Sequence, residues 1–342
     1  MSRVSGPGPT IADIARAAEV STATVSHALN GTGRLADATR RRVREVAAVL
    51  GYGPPRAPRT RTLGLAVTTF AGHAWDFVEI AYYKRWVTAA TSAAHARGYA
   101  LTTLPAARGA EPLWHTLAVD GMLLLDSPEG DTVLRALRAR GVPVVFDGKP
   151  AVPRPGDVWV DNDHAATTRE VLDHLAAAGA RRIALQAGYG GESYTQEVTG
   201  AYRAWCAERG AVPLVVPFNP IDTVGHAFDG YFAAGPRAAA GAEPVDAVYA
   251  VYDPGGAQVL AAAARHGLRV PGDLLLVCAS EDPSYAQHDP PVSTVTFHPE
   301  VLAEAAVGAL ADLVASPAPP APELPGGRTV AAGLLVRASS RP

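Results

Sequence analysis

Apolar residues at helical spacing open the chain. Ile11, Ile14, Ala15 and Ala18 share one face, and Thr10 with Asp13 three residues on supplies a capping-box start. Glu19-Val20-Ser21 interrupts that face. A second short helix follows, capped by Ser21, with Val25, Ala28 and Leu29 turned inward. Residues 37–50 predict a third helix, capped by Asp37, with Val43, Val46, Ala47 and Leu50 as its buried stripe. Two short helices around a tight turn describe a helix-turn-helix, whose second helix enters the major groove.

From Thr62 the period changes. Strands are predicted at 62–70, 99–104, 121–125 and 142–146, with helices over 81–97 and 131–140 closed by Gly98 and Gly141. Residues 162–178 predict a helix and 182–186 open a second sheet. That sheet continues through 198–209, 247–251, 256–266 and 274–279. Alternation of this kind implies parallel sheets with right-handed crossovers. The fold class expected is therefore α/β: an N-terminal three-helix headpiece (1–53), a Pro/Arg-rich linker (54–61) and a bilobed core of two parallel sheets flanked by helices (62–342). The chain is expected to cross between lobes near Asp161 and again near 290–296, so that helix 300–314 joins lobe one. After the Pro-rich stretch S-P-A-P-P-A-P-E-L-P-G-G, the last strand, 329–336, is expected in lobe two. Lobe one is then about 62–160 and 296–325, and lobe two about 161–295 and 326–342.

Length and composition agree with several packed domains: 342 residues, 48% of them hydrophobic. No long charge-free apolar run suggests a membrane span, and the start M-S-R-V-S-G-P-G-P has no signal-peptide core, so a cytoplasmic protein is expected. Cys206 and Cys278, each beside apolar residues, read as buried thiols rather than a disulfide. The net charge of −3 conceals a division: residues 1–61 carry +6, all of the positive charge being Arg, and the remainder −9. A basic head on an acidic body fits a phosphate-binding module carried by a sensor. In that reading Thr10, Ser21, Thr24, Ser26 and Asn30 donate to phosphates, and Arg34 grips one. No G-x-S-x-G elbow, Walker loop, paired Cys motif or H-E-x-x-H is present, so no enzyme, metal or cofactor is expected.

The run T-I-A-D-I-A-x-x-A-x-V-S-x-x-T-V-S-x-x-L-N, followed by T-R-x-x-V and L-G-Y-x-P, resembles the headpiece of the LacI/GalR family of bacterial transcription regulators. V-D-G-M-L-L-L-D, G-V-P-V-V-F-D, R-R-I-A-L and P-P-V-S-T-V extend the resemblance to the effector core. It implies that Thr22, Ala23 and His27 read bases. Thr and Ala offer methyl contacts to thymine, and His27 replaces the usual Arg, losing a bidentate grip on guanine. Tyr52 and Arg56 join the DNA-contacting set. The linker departs from the family: it is shorter, Pro55 and Pro58 disfavour a helix, and no Leu precedes Leu63 to serve as a minor-groove wedge. An extended linker is expected, its arginines either following a phosphate backbone or simply solvated.

Ligands of open α/β sheets bind at the carboxyl ends of strands, here Thr68, Asp126, Asp147, 186–189, Asp253 and Ser280. Trp75, Tyr83, Tyr189, Tyr194 and Tyr252 could stack on a ring. The resemblance favours Tyr83, and residues 71–80 before it read as an insertion able to form a lid. Three positions depart from the family's sugar-binding set: Glu197 stands for the usual Arg, Tyr252 precedes the retained Asp253, and Ser280-Glu281 replaces an Asp pair. The ligand set expected is Tyr83, Asp147, Tyr189, Glu197, Tyr252, Asp253 and Ser280. This acidic, aromatic cleft suits a neutral sugar and equally a cationic or nucleoside-like molecule. The function expected is a ligand-responsive repressor, with double-stranded operator DNA and a small-molecule effector as partners. Without a heptad-bearing tail, a homodimer is expected. The alternative is a solute-binding module with no DNA role.

Overall fold

The computed structural model describes residues 10–30, 33, 35–50, 59–68, 79–105, 111–188, 192–233, 244–315 and 326–341. The chain divides into two compact units, one built from the head up to Thr60 and one beginning at Arg61.

In the head, α1 (Ile11–Ala17), α2 (Thr22–Asn30) and α3 (Asp37–Val49) enclose a core of Ile14, Ala15, Ala18, Val25, Ala28, Val43 and Ala47. The capping box closes the start of α1: the Asp13 N–H donates to Thr10 Oγ1 at 3.3 Å, and the Thr10 N–H to Asp13 Oδ2 at 2.8 Å. Glu19, at φ 52, makes the turn, and the Thr24 N–H donates to Ser21 Oγ at 3.1 Å to cap α2. The guanidinium of Arg42 donates to the Ala18 carbonyl, tying α3 to the end of α1. Two expectations fail at the edges of this small bundle. Ile11 and Leu50 are exposed, the one at the start of α1 and the other just past the end of α3. Asp37 begins α3 as its first residue rather than preceding it.

The second unit holds two six-stranded sheets. The first is built from β1 (Thr62–Val67), β2 (Ala100–Pro105), β3 (Gly121–Leu125), β4 (Val144–Asp147), β5 (Val158–Asn162) and β11 (Gly327–Val330). The second is built from β6 (Ile183–Ala187), β7 (Val215–Pro217), β8 (Ala247–Ala250), β9 (Leu275–Ala279), β10 (Ser293–Thr296) and β12 (Gly333–Leu335). The orders are β11-β5-β4-β3-β1-β2 and β12-β10-β9-β8-β6-β7, the same topology twice, and only the β10–β12 pair is antiparallel. Because both faces of each sheet are covered, the strands read as near-continuous apolar runs. In lobe one α4 (Ala81–Ala96) and α11 (Pro299–Ala315) cover one face, and α5 (Glu111–Thr116) and α6 (Thr132–Ala139) the other. In lobe two α7 (His164–Ala177) and α8 (Ser193–Glu208) face α9 (Asp229–Phe232) and α10 (Gly255–Arg265) across the sheet. Gly98, at φ 77, ends α4 in the left-handed conformation that side chains disfavour, letting the Tyr99 N–H reach the Ala94 carbonyl at 3.0 Å.

The C-terminal strand differs from expectation. The chain over 329–336 is not one strand in lobe two. β11 pairs parallel with β5 in lobe one, and after Ala331-Ala332 β12 pairs with β10 in lobe two. The lobes are therefore joined by three crossings, near residues 162, 297 and 331. The carboxamide of Asn162 binds all three together, donating to the carbonyls of Phe297 at 3.2 Å and Val330 at 2.9 Å. Asn162 is buried, so its amide relies on these two acceptors in place of water.

Replacing Asn162 by Ala orphans two acceptors at the crossings, and urea denaturation should show a loss of about 1–3 kcal/mol. A loss under about 0.5 kcal/mol would mean that the crossings do not depend on this amide.

Candidate functional site

The outward surface of α2 follows from its inward one. With Val25 and Ala28 fully buried, the helical period leaves Thr22, Ala23 and His27 exposed and Ser26 half-buried beside them. Ser21 is exposed and Thr24 half-buried; their hydroxyls lie 2.9 Å apart. The Thr10 hydroxyl donates to Asp13 Oδ2 at 2.7 Å, so its proton is already engaged in the cap. Asn30 ends α2. Gly33, at φ 71, lies so near His27 that a Cβ there would stand 3.1 Å from the imidazole Cγ. Arg34, Tyr52 and Arg56, and most of the linker, lie outside the described residues.

Between the lobes of the second unit lies a cavity of about 340 Å³, at the carboxyl ends of the strands as open α/β sheets require. Tyr83, Asp147, Tyr194, Tyr252, Asp253 and Ser280 all line it. Glu197 does not. α8 starts at Ser193, five residues before the expected 198, which puts Glu197 in the second turn and brings Glu192 and Ser193 to the cavity wall. Thr68 and Gln186 are buried outside the wall, Thr68 donating to the Leu125 carbonyl and Gln186 to Gln258. Trp75, Tyr189 and most of the 71–80 insertion lie outside the described residues.

Six tyrosine and phenylalanine rings stand in the wall among the described residues. Phe297, on the second crossing, meets Tyr82, His164 and Tyr194 edge to face, with centroids 6.3, 5.4 and 5.8 Å away. Tyr252 meets Tyr194 at 6.0 Å and Phe218 at 4.7 Å. Sequence reasoning missed Tyr82, His164, Phe218 and Phe297. Tyr82 was legible as the neighbour of Tyr83 in A-Y-Y-K-R-W, whereas Phe297 becomes a wall residue only because the crossing carries it there.

The acidic residues of the wall divide by partner. Asp253 accepts from Ser280 Oγ and, across the cleft, from the Ala81 N–H that begins α4, at 3.1 Å. Glu281 accepts from the Thr296 hydroxyl at 2.9 Å and the Phe297 N–H at 2.7 Å. It also receives Arg85 from the opposite lobe, whose guanidinium is shared with Glu300 at 2.7 and 3.0 Å. Asp161 accepts from the Lys149 and Asn162 N–H groups, each at 2.8 Å, and lies 2.9 Å from His164 Nε2. These three hold the lobes and crossings. Asp126 and Asp147, neighbours at the ends of β3 and β4, each accept one tyrosine hydroxyl: Tyr83 on Asp126, and Tyr82 on Asp147 at 2.6 Å. Burial, opposed by the Tyr83 hydrogen bond, pushes the Asp126 carboxyl up to about 6. Burial and the nearby Asp126 raise Asp147 well above the usual range. Asp126 also sits at φ 52, backbone strain of the kind that gathers at binding sites. Among the described residues no group of three or more His, Cys, Asp or Glu is placed to hold a metal.

Comparison with known proteins decides the family. Residues 10–55 match the model of bacterial regulatory proteins of the lacI family, and residues 172–340 that of a periplasmic binding protein-like domain. The HTH-type transcriptional regulator CelR of Thermobifida fusca is 30% identical over 317 residues, covering 90% of this chain and 92% of that protein. The chain belongs to the lacI family. The LacI-type head makes it a DNA-binding transcription regulator, as its relatives are. MalR of Streptomyces coelicolor is also 30% identical, covering 90% of this chain and 91% of that regulator. A solved CelR–cellobiose complex superposes with a TM-score of 0.69 at 26% identity, over 97% of this chain and 99% of that one.

The raised carboxyl of Asp126 gives a signed prediction for this LacI-family core. Below the unfolded value near about 4 the acid is neutral in both states, so its burial is then uncharged and favourable; as pH rises through about 6 the folded form must ionise and that contribution is lost. The stability difference between the parent and Asp126→Asn should therefore fall as pH rises from about 4 to about 6, read by denaturant titration. A flat difference across that window would contradict the assignment.

Proposed function

We propose that this regulator is a repressor that acts as a homodimer on a pseudo-palindromic operator in the cytoplasm, controlled by a sugar-class molecule bound between its lobes, with no chemistry performed there. The observation that carries this reading is one ring-lined cavity bounded by both lobes, in a chain that also bears a helix-turn-helix head. Stacked and edge-on rings with a few polar groups are what a saccharide's apolar faces and hydroxyls call for. The likeness to CelR, whose complex holds cellobiose, supports the same ligand class.

On the head, Thr22, Ala23 and His27 face the bases in this reading, while Ser21, Thr24, Ser26 and Asn30 serve phosphates with Thr10 setting the start of α1. Arg34, Tyr52 and Arg56 complete the DNA-contacting set. In the core, Tyr83, Tyr252, Asp147 and Ser280 hold the effector from both sides. A ligand bridging both lobes binds their arrangements unequally, and only that difference can change DNA affinity. Across the cleft Asp253 meets Ala81, and Glu281 meets Arg85, so the lobes have defined bonds to exchange when they move.

Footprinting on the DNA upstream of the chain's own gene tests the reading, with protection of an inverted repeat expected. Binding should weaken by about 10³-fold or more between about 50 and 200 mM salt, reflecting counterion release. Salt-insensitive attachment, or none, would refute it. Tyr252→Ala should weaken cellobiose binding about tenfold or more in calorimetry through loss of ring contact, and an unchanged affinity would remove the saccharide from this wall.

A further inference from the structure

Resting on the reading of the cleft as a saccharide site, we infer that this wall accepts only an uncharged sugar and rejects the same sugar once it bears a phosphate or a carboxylate. The regulator then responds to its effector ahead of any reaction that phosphorylates or oxidises it. The first ground is a census of hydrogen-bond donors. An ionised phosphate or carboxylate has acceptor oxygens only, whereas a sugar hydroxyl both donates and accepts. An anion therefore needs donors from the wall, and the hydroxyl and amide donors there are already spent on protein. Tyr82 and Tyr83 donate to Asp147 and Asp126, and Tyr194 to the Val251 carbonyl at 2.6 Å. The Tyr252 hydroxyl pairs with Thr195 Oγ1 at 2.5 Å while receiving the Gly188 N–H at 3.3 Å. Ser127 donates to Asp131 at 2.7 Å, Ser193 to Glu197 at 3.5 Å and Ser280 to Asp253. Both hydrogens of the Asn162 carboxamide go to the crossings. Among the described residues of the wall the basic side chains are His164, which lies against Asp161, and Lys149, exposed at the rim. The Arg85 guanidinium is shared between Glu281 and Glu300.

The second ground is independent of the first. Anions bind in α/β folds at the N-termini of the helices that follow the strands, where unsatisfied N–H groups and the positive end of the helix dipole coincide. Five helices begin at or next to wall residues, and the protein occupies or guards each start with its own oxygen atoms. The Ala81 N–H of α4 donates across the cleft to Asp253 at 3.1 Å. α6 is capped by Asp131, which accepts from the Val133 and Leu134 N–H groups at 2.8 and 3.2 Å. α7 is capped by Asp163, which accepts from the Ala166 N–H at 2.9 Å. At α10 the Ala257 N–H donates to the Tyr285 hydroxyl at 3.0 Å. α8 makes no side-chain cap bond, but Glu192 stands immediately before it in the wall. Burial does most to raise the Asp126 carboxyl and the Tyr252 hydroxyl, and the Glu192 charge adds to both. A phosphate, carrying about −1.5 to −2 near neutral pH, would thus enter beside like charges with neither a donor nor an open helix end to offset them. A neutral sugar meets no such repulsion. Its apolar faces lie on the rings, and its hydroxyls can donate to acceptors.

Calorimetry on the full chain at about pH 7.5, where phosphate is mostly the dianion, compares glucose and cellobiose with their 6-phosphates and with glucuronate. Whichever neutral sugar binds, its charged forms should bind about a hundredfold or more weaker. Glu192→Gln removes one wall charge and should narrow that gap about threefold or more. The comparison on the unmodified chain decides the matter if that variant does not fold. A charged form that binds within about threefold of its neutral parent, or that binds where the parent does not, overturns the inference and leaves the saccharide reading intact. A gap that Glu192→Gln leaves unaltered overturns its electrostatic basis. No binding by any of these sugars overturns both readings.

Discussion

A single buried carboxamide governs how the sensing unit is put together. Asn162 ends β5, donates to a carbonyl on each of the other two crossings, and so fixes the three strands that join the lobes at one point. An amide has two N–H donors, and here both are used, each on a different crossing. The identical strand orders of the two sheets then follow from one folding pattern used twice, and their carboxyl ends face a common space. The crossing itself contributes Phe297 to that space, so the element that joins the lobes is also part of the cavity wall.

Polar groups in the wall divide into those that hold protein to protein and those that do not. Asp253, Glu281 and Asp161 are committed to backbone N–H groups, hydroxyls and Arg85, which explains how so acidic a wall can be buried at all. Ser280 stands where the resemblance implies an acid, and its hydroxyl donates to Asp253. One fewer charge is buried, at the expense of a ligand-facing carboxylate. Asp126 and Asp147 keep the residual acidity, screened by two tyrosines that arrive together on the first turn of α4.

Much of this was legible in the sequence, for physical reasons. The positions of β1 to β4, β6, β8 and β9 follow continuous apolar runs, and those of α4 and α6 the helical period closed by glycine. The capping box at Thr10 and Asp13 marks the head by local chemistry alone. What was not legible depends on non-local pairing. β5, β7 and β10 are short and carry too few apolar residues to stand out from the loops beside them. The split of 329–336 into β11 and β12 cannot be read from its apolar pattern, since only the partners β5 and β10 impose it. In the cleft, strand-end reasoning found Asp126, Asp147, Asp253 and Ser280. It could not separate them from Thr68 and Gln186, whose side chains turn back into the protein. Glu197 entered the expected set as the counterpart of the family's Arg, and the structure puts that position in the second turn of α8, off the wall.

The bond from Asp253 to the Ala81 N–H has a consequence for thresholds. It places a carboxylate of lobe two on the otherwise open first turn of a lobe-one helix, where backbone donors are unsatisfied and the helix dipole is positive. Together with Arg85 on Glu281, it ties lobe two directly to lobe one. An effector whose entry requires these bonds to part is then sensed with an apparent dissociation constant equal to the intrinsic one divided by the fraction of molecules standing ajar. The metabolite concentration at which the gene responds is in that case set as much by these two clasps as by the fit of the chamber they enclose.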